Sequence, residues 1–222
     1  MGTSQDSNAP VGTLAIELLG AMAYGELSAF GRLSADSRHA PTLRDRAMLG
    51  KIAVGAYGNF AMISDHLAGL GVDPEDAMLP FQRSFDHFHE RTRPGDWYES
   101  VMKAYVIDTV SADFYRTVAG FLDARTQVVV HQVASADHAT EALRMLLRKA
   151  LADDPRLASR LALWARRLVG EALTQAQRVG LEHPWLGPVL KAGGEAREAV
   201  GRLTADLAAG HGQRMSGLGL AP

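Results

Sequence analysis

The feature of the sequence that most constrains its fold is a carboxylate in the middle of an apolar helix face. Steps of three and four residues connect it with four apolar side chains, and the five positions are Leu19, Met22, Glu26, Phe30 and Leu33. Residues at this spacing share one face of an α-helix, so this face belongs in a protein core. An ionised carboxylate is costly to bury unless it is hydrogen-bonded, protonated, paired with a cation or bound to a metal. The groups that face Glu26 therefore decide what the chain can do.

Helical periodicity runs through most of the chain and predicts an all-α protein, since no strand-like alternation is long enough to compete with it. Thr42, with Asp45 three residues on, predicts the start of the second helix, and Gly71 predicts its end. The four long helices of about residues 13–37, 42–70, 96–122 and 125–152 form two hairpins joined by a long crossover, which describes a ferritin-like four-helix bundle followed by additional C-terminal helices. The predicted helices span about residues 13–37, 42–70, 75–90, 96–122, 125–152, 157–183 and 188–209.

The length and composition predict one domain with short tails. A chain of 222 residues, 47% of them hydrophobic, can bury one sizeable core. We expect a single helical domain over residues 13–209, with flexible tails over 1–12 and 210–222, the second of which is rich in glycine. The N-terminus lacks the charged start and apolar run of a signal peptide, and no segment is apolar enough to cross a bilayer. These observations predict a cytoplasmic protein without membrane association.

The absence of cysteine and the small net charge exclude several function classes. Without cysteine the chain has no disulfide, no thiolate zinc site and no cysteine nucleophile, so a bound metal must use histidine and carboxylates. The formal net charge of −2 gives no general attraction to nucleic acid or anionic lipid. A basic stretch from Arg144 to Arg178 could contact phosphate, but a solvated helix face is the better explanation and no binding motif accompanies it.

The other long helices also carry polar residues about halfway along their length. These are Asn59 on the second helix, Asp108 on the third, and His131, Ser135 and His138 in one line on the fourth. Side chains halfway along neighbouring helices of a bundle meet at its centre, so we expect this group to face Glu26. The candidate catalytic residues are therefore Glu26, Asp108 and His138, with a buried carboxyl of raised pKa as acid and the histidine as base.

The remaining polar and aromatic side chains near the predicted centre are candidates for the lining of a pocket. They are Tyr24, Asn59, Tyr105, Tyr115, His131 and Ser135. Aromatic residues on helix faces are most often ordinary core residues, which is the alternative for these tyrosines. Glu26 hydrogen-bonded to Asn59, Tyr105 or Tyr115 in a closed polar network is the alternative to an active carboxylate.

Several strings of the sequence resemble a known family. They are AYGELSAF (residues 23–30), KAYV (103–106), ADFYR (112–116) and LALWARRLVGEAL (161–173). These strings resemble actinobacterial ferritin-like proteins grouped with the tRNA-(2-methylthio-N6-isopentenyladenosine) hydroxylases, over roughly residues 14–179. The resemblance implies a ferritin-like fold, tRNA as a partner and, for intact members, a non-haem di-iron site that uses dioxygen to hydroxylate an unactivated carbon.

The sequence departs from this family at the residues that would bind iron. Where the family has Glu-x-x-His, the second helix has Ala56 and Asn59 and the fourth has Ser135 and His138, and no Glu-x-x-His occurs anywhere in the chain. The Asp-x-x-His pairs that end at His39 and His89 are expected away from the bundle centre. Two irons need bridging carboxylates, which these positions do not supply. We therefore expect no cofactor or, if a metal is bound, a single iron at Glu26, Asp108 and His138.

The sequence supports one leading function and leaves two others open. The leading hypothesis is a ferritin-like protein whose di-iron site is largely lost and whose central polar pocket binds or transforms a small molecule by acid–base chemistry. The first alternative is an iron-dependent hydroxylase of the tRNA-hydroxylase type. The second is a non-catalytic helical protein that works by contacting a partner, and a homodimer is a further expectation from the habits of such bundles.

Overall fold

A computed structural model of the chain describes the backbone of residues 9–135, 137–182 and 196–221, and the side chains of 12–135, 138–175 and 201–221. The described residues contain helices and no strand, so the predicted all-α class is confirmed. None of these helices is both long enough and apolar enough to cross a membrane. The helices are α1 (Ala9–Asp36), α2 (Leu43–Gly69), α3 (Pro74–Arg91), α4 (Trp97–Ala119), α5 (Ala124–Ala134), α6 (Asp137–Asp153), α7 (Leu157–Glu182) and α8 (Ala196–Gly217), with a 3₁₀ turn at Ser37–His39.

Helices α1, α2, α4 and the α5–α6 pair form the four-helix bundle, and α3 lies in the crossover. Helix α3 runs parallel to α1, since Gly20 contacts Ala77 near the start of α3, while Tyr24, further along α1, contacts Asp86, further along α3. A Cβ on Gly20 would come within 2.0 Å of the Ala77 carbonyl oxygen, so only glycine permits this approach. The predicted crossover is present, and the structure shows that it returns along α1.

The predicted signals at both ends of α2 are found in the structure. The Thr42 hydroxyl accepts a hydrogen bond from the Asp45 amide at 3.1 Å and donates one to the Asp45 carboxylate at 2.7 Å. These bonds satisfy amides that the first turn of a helix leaves unpaired. At the other end, Gly71 has a φ of 77°, which glycine adopts without steric cost.

The fourth bundle helix, predicted as one segment over 125–152, is divided into α5 and α6. At Ser135, which follows α5, the hydroxyl donates to the carbonyl oxygen of His131 four residues earlier. A side chain that bonds back to the backbone in this way competes with the helical hydrogen-bond ladder. Both halves keep the predicted direction, antiparallel to α4, because Arg116 contacts Ala134 while Asp108 contacts Thr140.

The predicted boundaries at the two ends of the chain are corrected by the structure. Helix α1 begins at Ala9 rather than Thr13, while residues 1–8 of the predicted tail lie outside the described residues. The final helix does not stop at 209 but continues to Gly217. Met215, Leu218 and Leu220 are buried, so the predicted flexible tail from 210 is instead packed on the bundle. The predicted start of the last helix, near 188, lies outside the described residues.

The buried apolar side chains form two clusters. One contains residues from the first half of α1, the second half of α2, the end of α4, and α5, among them Leu18, Ile63 and Val118. The other contains Leu49 and Leu147 with α7 and the C-terminal segment. The region between the two clusters is where the sequence places Glu26 and the other interrupting polar residues.

Candidate functional site

A cavity of about 600 Å³ lies in the middle of the bundle. The helix faces that border it carry small side chains where a bundle core usually has large ones, among them Ala21, Gly25, Ala29, Ala56 and Ala104. Well-packed interiors leave few spaces larger than a water molecule, so a void of this size reflects the choice of small residues. Its volume lies within the range of about 300 to 1,000 Å³ that is typical of ligand pockets.

One end of the cavity is formed by Glu26, Asn59, Asp108 and Tyr115, which we call the carboxylate end. Asn59 Nδ2 donates a hydrogen bond to Glu26 Oε2 at 3.3 Å. Burial raises the pKa of Glu26 to about 8, the Asn59 hydrogen bond opposes this rise, and the negative charge of Asp108 adds to it. The polar residues predicted to face Glu26 from the second and third helices therefore do so.

The second carboxylate is tied to the wall of the cavity. Thr140 Oγ1 on α6 donates a hydrogen bond to Asp108 Oδ2 on α4. Burial raises the pKa of Asp108, and both the Thr140 hydrogen bond and the positive charge of Arg116 act in the opposite direction. Glu26 and Asp108 thus have different hydrogen-bond partners. The Asn59 amide donates to Glu26, and the Thr140 hydroxyl donates to Asp108.

Tyr115 completes the carboxylate end. A Cβ on Gly25 would lie 3.6 Å from the Tyr115 hydroxyl, which shows how closely this side chain approaches α1. Burial raises the pKa of Tyr115, the charge of Glu26 raises it further, and a hydrogen bond with Ser111 lowers it. Tyr115 is therefore a neutral hydroxyl beside Glu26 at ordinary pH.

The other end contains Arg32 and His89 on the cavity wall and Asp36 and Lys103 behind them, and we call it the cationic end. The Lys103 ammonium is buried, donates to the Thr92 carbonyl oxygen at 2.9 Å and lies 5.5 Å from the centre of the Phe88 ring. Burial and the charge of Arg32 lower the pKa of Lys103 to about 7, while Asp36 opposes this. Burial and the charges of Lys103 and Arg32 lower the pKa of His89 to about 3, so this imidazole is neutral.

The sequence did not predict the cationic end. Its expectation that His89 lies away from the bundle centre is wrong, because the crossover helix α3 closes one side of the cavity and carries this residue. Lys103 lies in a continuous run of buried residues on α4, from Val101 to Val106. A lysine within this mostly apolar run was the sequence signal that could have indicated the cationic end. Apart from its place beside Leu33 on α1, nothing in the sequence marked Arg32 as a residue of the cavity.

The structure brings together six of the predicted site residues and separates three. The cavity is lined by Glu26, Asn59, Asp108, Tyr115, Ser135 and His138, of which the last two are solvent-exposed. Tyr24 instead donates to Asp86 on α3 at 2.6 Å, Tyr105 is packed in an apolar cluster, and His131 points to solvent. These three do not line the cavity: the contact of Tyr24 is with the crossover, and the break after α5 removes His131 from the line of His138.

The sequence matches the family of ferritin-like domains of actinomycetes over residues 11–193. The chain belongs to this family. No curated protein matches the chain significantly. Membership of a ferritin-like family agrees with the observed bundle and its crossover. The matched range includes every residue of the carboxylate end.

Ferritin-like bundles of the di-iron type use one carboxylate from each of two helices and a Glu-x-x-His pair from each of the other two. In this member of the family Glu26 and Asp108 stand as the single carboxylates, but Ala56 and Asn59 occupy one pair and Ser135 and His138 the other. Among the described side chains, no group of three or more His, Asp or Glu is placed to hold a metal ion. The residues therefore do not fit a pair of irons, and the predicted set of Glu26, Asp108 and His138 is not assembled as a single-metal site.

The basic stretch that begins at Arg144 is largely occupied by contacts within the chain. Arg144 pairs with Glu141 at 2.6 Å and Lys149 with Asp153 at 2.7 Å. Arg160 pairs with both Asp96 and Glu99 across to α4. This pattern matches the solvated helix face that the sequence offered as one explanation of the stretch.

Proposed function

We propose that the chain is a divergent relative of the tRNA hydroxylase-like proteins that binds a small molecule in the central cavity and transforms it by proton transfer. The observation that carries this proposal is the position of two buried carboxyl groups, Glu26 and Asp108, on the wall of a mainly apolar cavity of about 600 Å³. Large apolar pockets with a few convergent polar groups of perturbed pKa are where binding and catalysis usually occur.

Glu26 is suited to proton transfer near neutral pH. With a pKa raised to about 8, its carboxyl group is largely protonated at pH 7 and still exchanges its proton readily. Its hydrogen bond from Asn59 fixes its orientation and leaves the rest of the carboxyl group available to a ligand. Glu26 would therefore act as general acid towards a ligand atom and recover its proton in a later step.

Asp108 and His138 have supporting roles in this proposal. Asp108, held by Thr140, places a second carboxyl group on the cavity wall, and its negative charge adds to the rise in the pKa of Glu26. His138 lines the same cavity from α6 and is exposed, so it can exchange protons between the cavity and bulk water. It is thus the candidate base of the reaction.

The first test asks whether the cavity takes up a small molecule. Binding of neutral 2-naphthamide would be measured by calorimetry for the wild-type chain, for Ala56→Leu, which fills the cavity, and for Val54→Leu, a matched change at an exposed position of the same helix. We expect binding to the wild type and the Val54→Leu chain and loss of binding in Ala56→Leu. Absence of binding to the wild type would contradict the proposal.

The second test addresses the chemistry. The purified wild-type chain and Glu26→Gln would be incubated with a small-molecule extract, and the compounds compared by mass spectrometry. We expect a compound that only the wild type converts, with the rate falling about 10²–10⁴-fold in the variant, as for loss of a general acid. A compound converted equally by both chains would show that Glu26 is not the acid.

A further inference from the structure

Arg32 is a buried cation that lacks the partners such a group needs. It lines the cavity, and its Nε and Nη1 atoms are enclosed without a hydrogen-bond partner among the described residues. Asp36, one turn further along α1, attracts Arg32 but accepts a hydrogen bond from Ser100. Because arginine keeps its charge in proteins, an unpaired buried guanidinium is costly, and a ligand that pairs with it removes that cost.

Two more polar side chains that line the cavity are also unpaired among the described residues. These are His89 through Nδ1 and Gln175 through Nε2. His89 is close enough to Arg32 to feel its charge. Gln175 lies one turn beyond Glu171, which pairs with Arg91 at the end of the same helix α3 that carries His89. Helices α1, α3 and α7 therefore each supply an unsatisfied nitrogen to the cavity wall.

The enclosed groups at this end of the cavity leave room for one negative charge. Arg32 carries one positive charge and Lys103, when protonated, carries a second, while Asp36 carries one negative charge and His89 is neutral. Lys51 also lines the cavity, but its side chain is solvent-exposed and its charge is screened by water. The surplus among the enclosed groups is thus at most one positive charge. A carboxylate, with a single charge, balances it, whereas a phosphate dianion would leave one negative charge buried.

The rest of the cavity is suited to an apolar body. Phe85 and Phe88 from the crossover and Leu33 and Ile52 from the first hairpin line it, and the apolar part of the lining outweighs the polar part. We infer that the ligand is an amphipathic carboxylate whose carboxylate group is bound by Arg32, with His89 and Gln175, and whose apolar body extends towards Glu26. This inference rests on the proposed function and names its class of substrate. Because Nε and Nη1 of Arg32 are enclosed, this pairing requires the Arg32 side chain to rotate towards the cavity.

This orientation places carbon atoms of the ligand, and not its charged group, beside the acid. Residues 26 and 32 are separated by about 9 Å along the axis of α1, at 1.5 Å per residue. The opposite orientation would place the anion against Glu26 and Asp108, which repel it whenever they ionise.

The test compares three probes that share one apolar body: 2-naphthoate, neutral 2-naphthamide and 2-naphthyl phosphate. Calorimetry with the full chain at pH 7 gives their affinities. We expect naphthoate to bind at least about 10-fold more tightly than naphthamide, the effect of one charge-assisted hydrogen-bonded pair. Arg32→Gln should remove this difference and leave naphthamide binding unchanged within about twofold. Arg46→Gln, an exposed position on α2, is the matched control and should retain it.

The outcomes of this experiment separate a failure of the carboxylate inference from a failure of the cavity proposal. Equal binding of naphthoate and naphthamide to the wild type would overturn the inference and leave the cavity proposal standing, whereas failure of all three probes to bind would overturn both. Tighter binding of the phosphate would overturn the assignment to a monoanion. If Arg32→Gln does not fold, Arg32→Lys and Gln175→Leu replace it, and an unchanged preference for naphthoate in both would contradict the proposed contacts.

Discussion

The two ends of the cavity bury ionisable groups in opposite ways. At the carboxylate end, burial raises the pKa of Glu26 to about 8, so the acid tends towards its neutral form. At the cationic end, burial lowers the pKa of Lys103 to about 7, and the neighbouring Arg32 retains its charge. An acid can become neutral by keeping a proton, but a guanidinium can be balanced only by an anion. The first end is therefore suited to proton transfer and the second to binding.

The largest expected effect comes from removing the acid at the carboxylate end. Because the pKa of Glu26 is higher in the folded chain than its ordinary value of 4.5, the folded state becomes less stable as the pH rises from about 4.5 to 8. Glutamine does not ionise, so the Glu26→Gln variant does not lose stability in this way. Its free energy of unfolding relative to the wild type should therefore rise over that range by on the order of a few kcal/mol. Chemical denaturation at pH 5, 6.5 and 8.5 measures it.

Glu90→Gln, at an exposed position in α3, is the matched control for this measurement and should show a constant difference from the wild type. If the difference in stability between Glu26→Gln and the wild type is the same at all three pH values, the pKa of Glu26 is not raised in the folded chain and the contrast between the two ends is wrong.

The cationic end should show the opposite dependence on pH. The folded state disfavours charged Lys103, so its penalty is complete below pH 7 and disappears as the pH rises from 7 to 10.5. The stability of Lys103→Met relative to the wild type should therefore fall over that range, again by on the order of a few kcal/mol. Leaving the Thr92 carbonyl unpaired lowers the stability of the variant by an amount that does not change with pH. Lys149→Met on the exposed face of α6 should not show this fall, and a parallel course for both variants would refute the prediction.

A smaller effect is expected from filling the space that joins the two ends. Ala104→Leu places three more carbon atoms at a position of α4 that borders the cavity. The added apolar burial should change stability by less than about 1.5 kcal/mol, whereas overpacking of a filled core costs about 1 to 3 kcal/mol. Thermal denaturation measures this, with Ala165→Leu, at a position of the same apolar cluster that does not line the cavity, as the comparison. Equal destabilisation by both changes would mean that no usable space exists at Ala104.

The smallest effect concerns the difference between the two carboxyl groups. Thr140→Val removes the hydroxyl that donates to Asp108 and keeps the shape of the side chain. The pKa of Asp108 should then rise further, since this hydrogen bond favours its charged form, and stability at neutral pH should fall by about 1 kcal/mol. Carbon-13 NMR of labelled aspartate follows the titration. Thr117→Val, which removes a hydroxyl that bonds to its own helix, should leave Asp108 unchanged.

The carboxylate end was predictable from the sequence because its residues interrupt apolar faces of helices that a bundle must pack together. Glu26, Asn59 and Asp108 met as expected once the two hairpins were recognised. Periodicity does not give the orientation of a connecting segment, and so it could not place His89 in the wall. The break follows α5 at Ser135, whose hydroxyl bonds to the backbone, but Thr109 and Thr174 make the same bond within unbroken helices, so this residue type did not predict it. The packing of Leu218 and Leu220 depends on a surface that is complete only in the folded chain.

The crossover helix has a consequence for how such a protein can change over time. Helix α3 is an 18-residue segment that is packed along α1, and it carries Phe85, Phe88 and His89 into the cavity. The acid and its partner Asn59 are on the first hairpin instead. Substitutions confined to this one segment can therefore alter which molecules fit while the proton-transfer residues stay in place, so that recognition and chemistry can evolve separately.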